Sequence, residues 1–226
     1  LTLSKDITVL SFSDSSMVDR NSSIIKVDSG WIVYSKNSES SILSFTSDGQ
    51  FSGYIGHRGN GPGEYTSVYD VVVNQKSKVL EVLSDGGIFC YTFGGDFLDK
   101  KEVTYPAFSF AIDDRQNYWF YVGNNTTYGD AKMICTDENI ANVAYYLHQK
   151  SNMLPMVENN FGRNGEWLTF HESLNHDLYT IENGKLDLSY AMDFPNYKLP
   201  KKLHELSGMD CLLYTSDAAD EARSVD

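Results

Sequence analysis

Ile42-Leu-Ser-Phe-Thr-Ser-Asp-Gly-Gln-Phe51 and Ile88-Phe-Cys-Tyr-Thr-Phe-Gly-Gly-Asp-Phe97 share one pattern: an apolar strand, a threonine, a glycine-bearing turn and an aromatic residue that starts a new strand. Weaker copies read Ala131-Lys-Met-Ile-Cys-Thr-Asp-Glu-Asn-Ile140 and Asp177-Leu-Tyr-Thr-Ile-Glu-Asn-Gly-Lys-Leu186. Their closing apolar residues, Phe51, Phe97, Ile140 and Leu186, are 46, 43 and 46 residues apart. Asp48-Gly49, Gly94-Gly95 and Asn183-Gly184 have hairpin chemistry, because these residues tolerate the positive φ that tight turns demand. The third copy places Asp137-Glu138-Asn139 at the same point.

Moving outward, each turn is preceded by a strand rich in β-branched and aromatic residues: Trp31–Tyr34, Val79–Leu83, Tyr118–Val122 and Trp167–Phe170. Three of these have a further apolar strand and polar turn before them, at Ile24–Val27, Val68–Val73 and Phe108–Ile112. The unit is therefore strand, turn, strand, loop, strand, turn, strand over about 45 residues, the period and strand count of a propeller blade. An ordinary sandwich also carries hairpins at short spacing, but the near-constant offset favours the propeller. The expected fold class is all-β: a β-propeller of four-stranded antiparallel blades, at about 24–65, 67–107, 108–150 and 162–200, within a domain spanning 1–210. Ser151–Asn160 reads as an inter-blade excursion. Residues 198–206, with leucines near helical spacing, read as a loop insertion or short helix.

The composition agrees with that class and excludes others. Of 226 residues, 41% are hydrophobic and 13% aromatic, enough for a substantial core. Thirty-one acidic against 18 basic side chains give a net charge of −13, the opposite of the basic footprint that nucleic acid requires. No window of 18 uninterrupted apolar residues is present, so no transmembrane span is expected in the chain. Cys90 and Cys135 sit in strand-like apolar runs and read as buried free thiols. They leave the compartment open.

The stretch from Cys211 to Asp226, CLLYTSDAADEARSVD, breaks with everything before it. Back-translated, it resembles a transposon-type sequencing adapter, so 211–226 reads as a non-native, adapter-derived tail on a fragment of environmental DNA, with the reading frame cut short. Without its four acidic residues and one arginine, the remainder carries 27 acidic and 17 basic side chains, net −10.

Between the first two units lies Tyr54-Ile-Gly-His-Arg-Gly-Asn-Gly-Pro-Gly-Glu-Tyr65. With Ser47-Asp48-Gly49-Gln50-Phe51, this connector resembles the blade junction of NHL-type repeats and the six-bladed, TolB-like β-propeller family abundant in Bacteroidetes. The resemblance is specific only over 42–73. It implies six blades, of which this chain would hold four to five, since six need ~270 residues at this repeat length. It also implies that 7–12 (Ile7-Thr-Val-Leu-Ser-Phe12) adds a ring-closing strand to the last blade. By the same resemblance, the protein is a periplasmic or outer-membrane-anchored lipoprotein.

The connector has its own physical reading. Glycines at 56, 59, 61 and 63 and a φ-locked Pro62 allow a sharp turn between blades. Its backbone N–H groups, with Arg58, could alternatively receive an anion. It is not a P-loop, because no Gly-Lys-Ser/Thr follows.

Other constellations fail on spacing. The His171–His176 segment has its histidines five apart rather than the four a helical zinc motif needs. Asp113-Asp114-Arg-Gln-Asn117 lacks the spaced ligands of a calcium loop and reads as a hairpin turn. Asn124–Asp130 reads as a longer polar loop, and no Gly-x-Ser-x-Gly elbow is present. No catalytic residue, metal ligand or cofactor is assigned.

The expected ligand-binding residues are His57, Arg58 and Glu64 in the connector, with Tyr65 and Tyr69 beside it. Inter-blade packing is the competing role for both tyrosines. The leading functional expectation is a non-enzymatic binding or scaffold propeller of the bacterial cell envelope. It would take a glycan, peptide or envelope protein at the mouth of the central channel, where aromatic faces supply area and hydroxyls supply direction. One alternative is a metal-dependent lactonase or lyase propeller, for which Asp70 is the one inner-strand carboxylate placed. The other is a structural module docking a partner protein.

Overall fold

The computed structural model describes residues 8–11, 22–36, 41–123, 129–148, 159–165, 167–172 and 176–193. They form an all-β chain in two compact units, Leu1–Thr104 and Tyr105–Asp226. Each unit carries two four-stranded antiparallel sheets, the blades of a β-propeller. In the first unit, blade one is β1 (Ser23–Val27), β2 (Gly30–Tyr34), β3 (Ile42–Thr46) and β4 (Phe51–Ile55), paired in that order. The connector adds a short parallel pair, β5 (His57–Arg58) with β6 (Glu64–Tyr65). Blade two is β7 (Asp70–Asn74), β8 (Val79–Ser84), β9 (Gly87–Tyr91) and β10 (Phe97–Lys101). In the second unit, blade three is β11 (Ser109–Ile112), β12 (Tyr118–Tyr121), β13 (Ala131–Thr136) and β14 (Ala144–His148). Blade four is β15 (Phe161–Asn164), β16 (Trp167–His171), β17 (Asp177–Glu182) and β18 (Lys185–Ala191).

Among the described residues, one five-residue turn is used four times. The first residue donates its N–H to the fifth carbonyl, and the fourth donates to the first: Thr46 with Gln50 and Gly49, Thr92 with Asp96 and Gly95, Asp113 with Asn117 and Gln116, Asp137 with Ala141 and Ile140. The first side chain completes the turn by accepting the fifth N–H, through the hydroxyls of Thr46 and Thr92 and the carboxylates of Asp113 and Asp137. The fourth residue is forced to positive φ: 90° at Gly49, 98° at Gly95, 69° at Gln116 and 58° at Ile140. Asn183 and Gly184, at 54° and 73°, make the two-residue loop between β17 and β18 with the left-handed pair that Asn-Gly favours.

This turn corrects the reading of the third repeat. Ile140 does not begin the outer strand, as Phe51 and Phe97 do. It occupies the left-handed position of the turn, and β14 starts at Ala144. The third copy lacks a glycine to announce that position; the Asp137 carboxylate instead organises the turn by accepting from both Asn139 and Ala141. Asp113 works the same way and also takes the indole N–H of buried Trp119 at 3.0 Å, so Asp113–Asn117 is a hairpin turn.

Alternation along the strands builds a core between neighbouring blades within each unit. In the first, Ile32, Tyr34, Ile42 and Ile55 of blade one meet Val71, Leu80, Val82, Phe89 and Tyr91 of blade two, with Tyr65 of the connector among them. In the second, Trp119, Tyr121 and Met133 of blade three pack on Leu168, Phe170 and Ile181 of blade four. Burying each such side chain contributes roughly 1.5–3 kcal/mol, so blade-to-blade contact supplies much of what holds each unit together. Cys90 and Cys135 are free and buried in these sheets, and burial pushes both thiols up to about 12.

On the far side of blade one, Leu10 and Trp31 pack against Val33, Leu43 and Phe45. Ser11 there bridges Gln50 in parallel and donates its N–H to Gly49, so this part of the 7–12 segment touches blade one; Ile7 and Phe12 lie outside the described residues. Also outside them are 124–128, 151–158, 173–175, the 198–206 segment and the 211–226 tail.

Candidate functional site

The connector closes on itself before it offers anything to a ligand. Gly59 N–H donates to Tyr65 O and Glu64 N–H to Gly61 O, holding the parallel β5–β6 pair. Glu64 folds its carboxylate into this turn and accepts Gly61 N–H at 2.8 Å. A Cβ at Gly59 would lie 1.9 Å from Glu64 Oε2, so the glycine makes room for that carboxylate. The anion that the glycine-rich backbone receives is the protein's own Glu64.

The remaining glycines fit the connector against blade two. At Gly63, with φ 75°, a Cβ would meet the Phe97 ring at 2.5 Å, and the Gly63 carbonyl accepts the Tyr91 hydroxyl at 2.9 Å. Tyr65 is buried at 1% exposure, its ring edge-on to Tyr91 at 6.3 Å. The Tyr65 hydroxyl donates to Ile55 O and accepts from Ile42 N–H, and burial raises its pKa. These contacts make Tyr65 a packing residue at the blade junction.

What reaches solvent lies one step further along. His57 and Arg58 are exposed, and Tyr69 keeps 38% of its surface exposed. The Tyr69 hydroxyl donates to Asp85 Oδ1 at 2.6 Å. Asp85 follows β8 in the tight turn to β9, and its other oxygen accepts the hydroxyls of Thr66 and Ser67, both at 2.8 Å. These donors, Tyr69 first, hold the Asp85 carboxyl below its ordinary value, and the same bond holds the Tyr69 phenol above its own. Arg58 joins through Thr66, whose carbonyl accepts the guanidinium Nε at 3.1 Å.

The structure thus brings Arg58 and Tyr69 into one network, organised by Thr66, Ser67 and Asp85. It leaves Glu64, half-buried, bonded into the connector's own turn and Tyr65 buried at the blade junction. Asp85 was not singled out from the sequence: its bonds to 66, 67 and 69 cross a hairpin, and an Asp-Gly turn at 85–86 carries no mark of them.

Deeper in the same unit, Asp70 at the start of β7 is paired with Lys36 at 2.9 Å, both side chains below a tenth exposed. The second unit has a comparable buried assembly. Lys132 Nζ donates to both oxygens of Glu172 at 2.9 Å, and the Tyr121 hydroxyl donates to Glu172 Oε1 at 2.6 Å. Nearby, Ser109 donates to Asn160 Oδ1 at 3.0 Å, and the Asn160 amide donates to His171 O. These groups join blade to blade. Among the described residues, no three His, Cys, Asp or Glu side chains gather as a metal ion would need.

A family model described as "Domain of unknown function (DUF4934)" matches residues 8–211. No curated protein matches the chain. Among solved structures, the chain is similar to a protein of Bacteroides fragilis named as exported, with TM-score 0.70 and 14% identity over 83% of this chain and 55% of that one. It is also similar to a DUF4221 family member from Bacteroides vulgatus, with TM-score 0.57 and 10% identity over 84% of this chain and 63% of that one. The chain therefore spans less than two thirds of the length of either, and at these identities the likeness is one of fold. A fainter likeness to streptogramin B lyase, TM-score 0.48 and 16% identity, carries no functional argument.

Proposed function

The chain belongs to the DUF4934 family, and from that premise we propose that it is a non-enzymatic binding module, exported to the bacterial cell envelope. Its ligand is a glycan or peptide. It seats where the connector meets the turn between β8 and β9. One observation carries the reading: an exposed tyrosine whose hydroxyl is fixed to a carboxylate, linked through Thr66 to an arginine fixed by its Nε. A ring held in one orientation offers apolar area at a smaller entropy cost on binding, and side chains organised before the ligand arrives bind more tightly for it. The export assignment is supported by the Bacteroides fragilis protein of the same fold.

Calorimetric titration with a glycan and peptide panel, on the native chain and on Tyr69→Ala, tests this. Binding that disappears in the variant while the melting midpoint holds is the expected result. A ligand bound equally well by Tyr69→Ala and Asp85→Ala would refute the placement. Stoichiometric, tight uptake of Ca²⁺ or Zn²⁺ would refute the non-enzymatic reading.

A further inference from the structure

Building on that binding site, we infer that its ligand is a carboxylate-bearing saccharide, with the pyranose face on Tyr69 and the carboxylate on Arg58. The backbone around the site has little left to offer a peptide. Tyr69 N–H is bonded to Leu83 O, Gly59 N–H to Tyr65 O, and Ser67 N–H to Ser84 Oγ at 3.2 Å, while Thr66 O is taken by Arg58. Strand addition relies on a row of unpaired main-chain groups, and these four are already paired. Recognition therefore falls to side chains, and two are positioned for it.

The first is Tyr69, 38% exposed, its hydroxyl held by Asp85 at 2.6 Å. A flat, immobilised aromatic face suits the C–H face of a sugar ring. The second is Arg58, exposed and anchored by Nε alone. Among the described residues, neither terminal nitrogen of its guanidinium is bonded to another protein group. That leaves a fork of N–H donors, the geometry that takes a carboxylate bidentately. The network's carboxylate, Asp85, accepts the hydroxyls of Tyr69, Thr66 and Ser67, and Glu64 accepts Gly61 N–H, so neither is bonded to the guanidinium. Thr66 joins the two elements, accepting from Arg58 with its carbonyl and donating to Asp85 with its hydroxyl. Ring and guanidinium therefore belong to one hydrogen-bonded patch.

The probes are tetragalacturonate, its fully methyl-esterified form and an acidic peptide, titrated against the full chain, Arg58→Gln and Tyr69→Ala. Both side chains are exposed, and the melting midpoint of each variant verifies folding. The native chain is expected to bind the acid at least tenfold more tightly than the ester. Arg58→Gln should bring the two together, and Tyr69→Ala should weaken both. Equal binding of acid and ester, or a preference that survives Arg58→Gln, overturns the carboxylate assignment. If saccharide binding still depends on Tyr69 in that case, the binding site itself stands. Tyr69-dependent binding of the peptide without the saccharides overturns this inference alone, and no Tyr69-dependent binding of any probe overturns both.

Discussion

Gly95→Ala tests whether the recurring five-residue turn sets the fit between blades. Gly95 sits at φ 98°, where an L side chain is strained. A Cβ there would lie 2.5 Å from the carbonyl oxygen of Tyr54, which is backbone of blade one and cannot rotate away. The left-handed conformation costs about 1–2 kcal/mol for a residue with a Cβ. Displacing the Tyr54 carbonyl adds on the order of 1–2 kcal/mol, the scale of a strained or overpacked contact. The sum is about 2–4 kcal/mol, less a few tenths that alanine returns by restricting the unfolded chain. In a chain of this size, each kcal/mol moves the melting midpoint roughly 2–4 °C.

Ile140→Gly is the control of opposite sign, because the equivalent position there holds a β-branched residue at φ 58°. It should be neutral or stabilising by up to about 1 kcal/mol, strain relief offsetting the entropy of glycine. Urea denaturation followed by circular dichroism, with hydrogen exchange at the Thr92 and Asp96 amides, measures both. A Gly95→Ala midpoint unchanged within error, or marked destabilisation by Ile140→Gly, would refute the reasoning.

Further predictions concern the buried and exposed carboxylates. Lys132→Met should destabilise by about 2–4 kcal/mol in urea denaturation, because among the described residues it leaves Glu172 with Tyr121 alone to offset its burial. Adding Glu172→Leu should recover most of that loss, and a double variant worse than the single would contradict it. Asp85, held below its ordinary value in the folded chain, contributes stability that is full above the unfolded carboxyl range and lost as pH falls through its lowered folded value. Acid titration of Asp85→Asn should therefore remove part of the native chain's pH dependence below pH ~4 and leave the neutral range flat. Parallel curves for the two proteins would count against the three-hydroxyl cradle.

The inner strand of blade four shows where the sequence pattern fails. Phe161-Gly-Arg-Asn164 forms β15 with one strong strand former in four residues, so nothing in its alternation distinguishes it from the loop before it. It is a strand because β16 offers it a complete ladder, Phe161 opposite Phe170 through Asn164 opposite Trp167. The other inner strands were legible because Val, Ile and Phe dominate them. Ile140 was misplaced for the converse reason: a β-branched residue reads as strand, and only the Asp137 bonds around it put it in a turn.

Period, strand count and the glycine-marked hairpins were decided by the sequence alone. Each depends on contacts among residues close in the chain, and these survive in one dimension. The division of labour within the connector was not. Glu64 and Tyr65 look as available as Arg58 and Tyr69 when written in a line, yet Glu64 is bonded into the connector's own turn, Tyr65 is buried at the blade junction, and Arg58 and Tyr69 are exposed. That sorting depends on Phe97, Tyr91 and Asp85, which lie some 15 to 35 residues further along the chain. Only folding of blade two brings their rings and carboxylate against the loop, so only the tertiary structure could say which connector residues remain exposed.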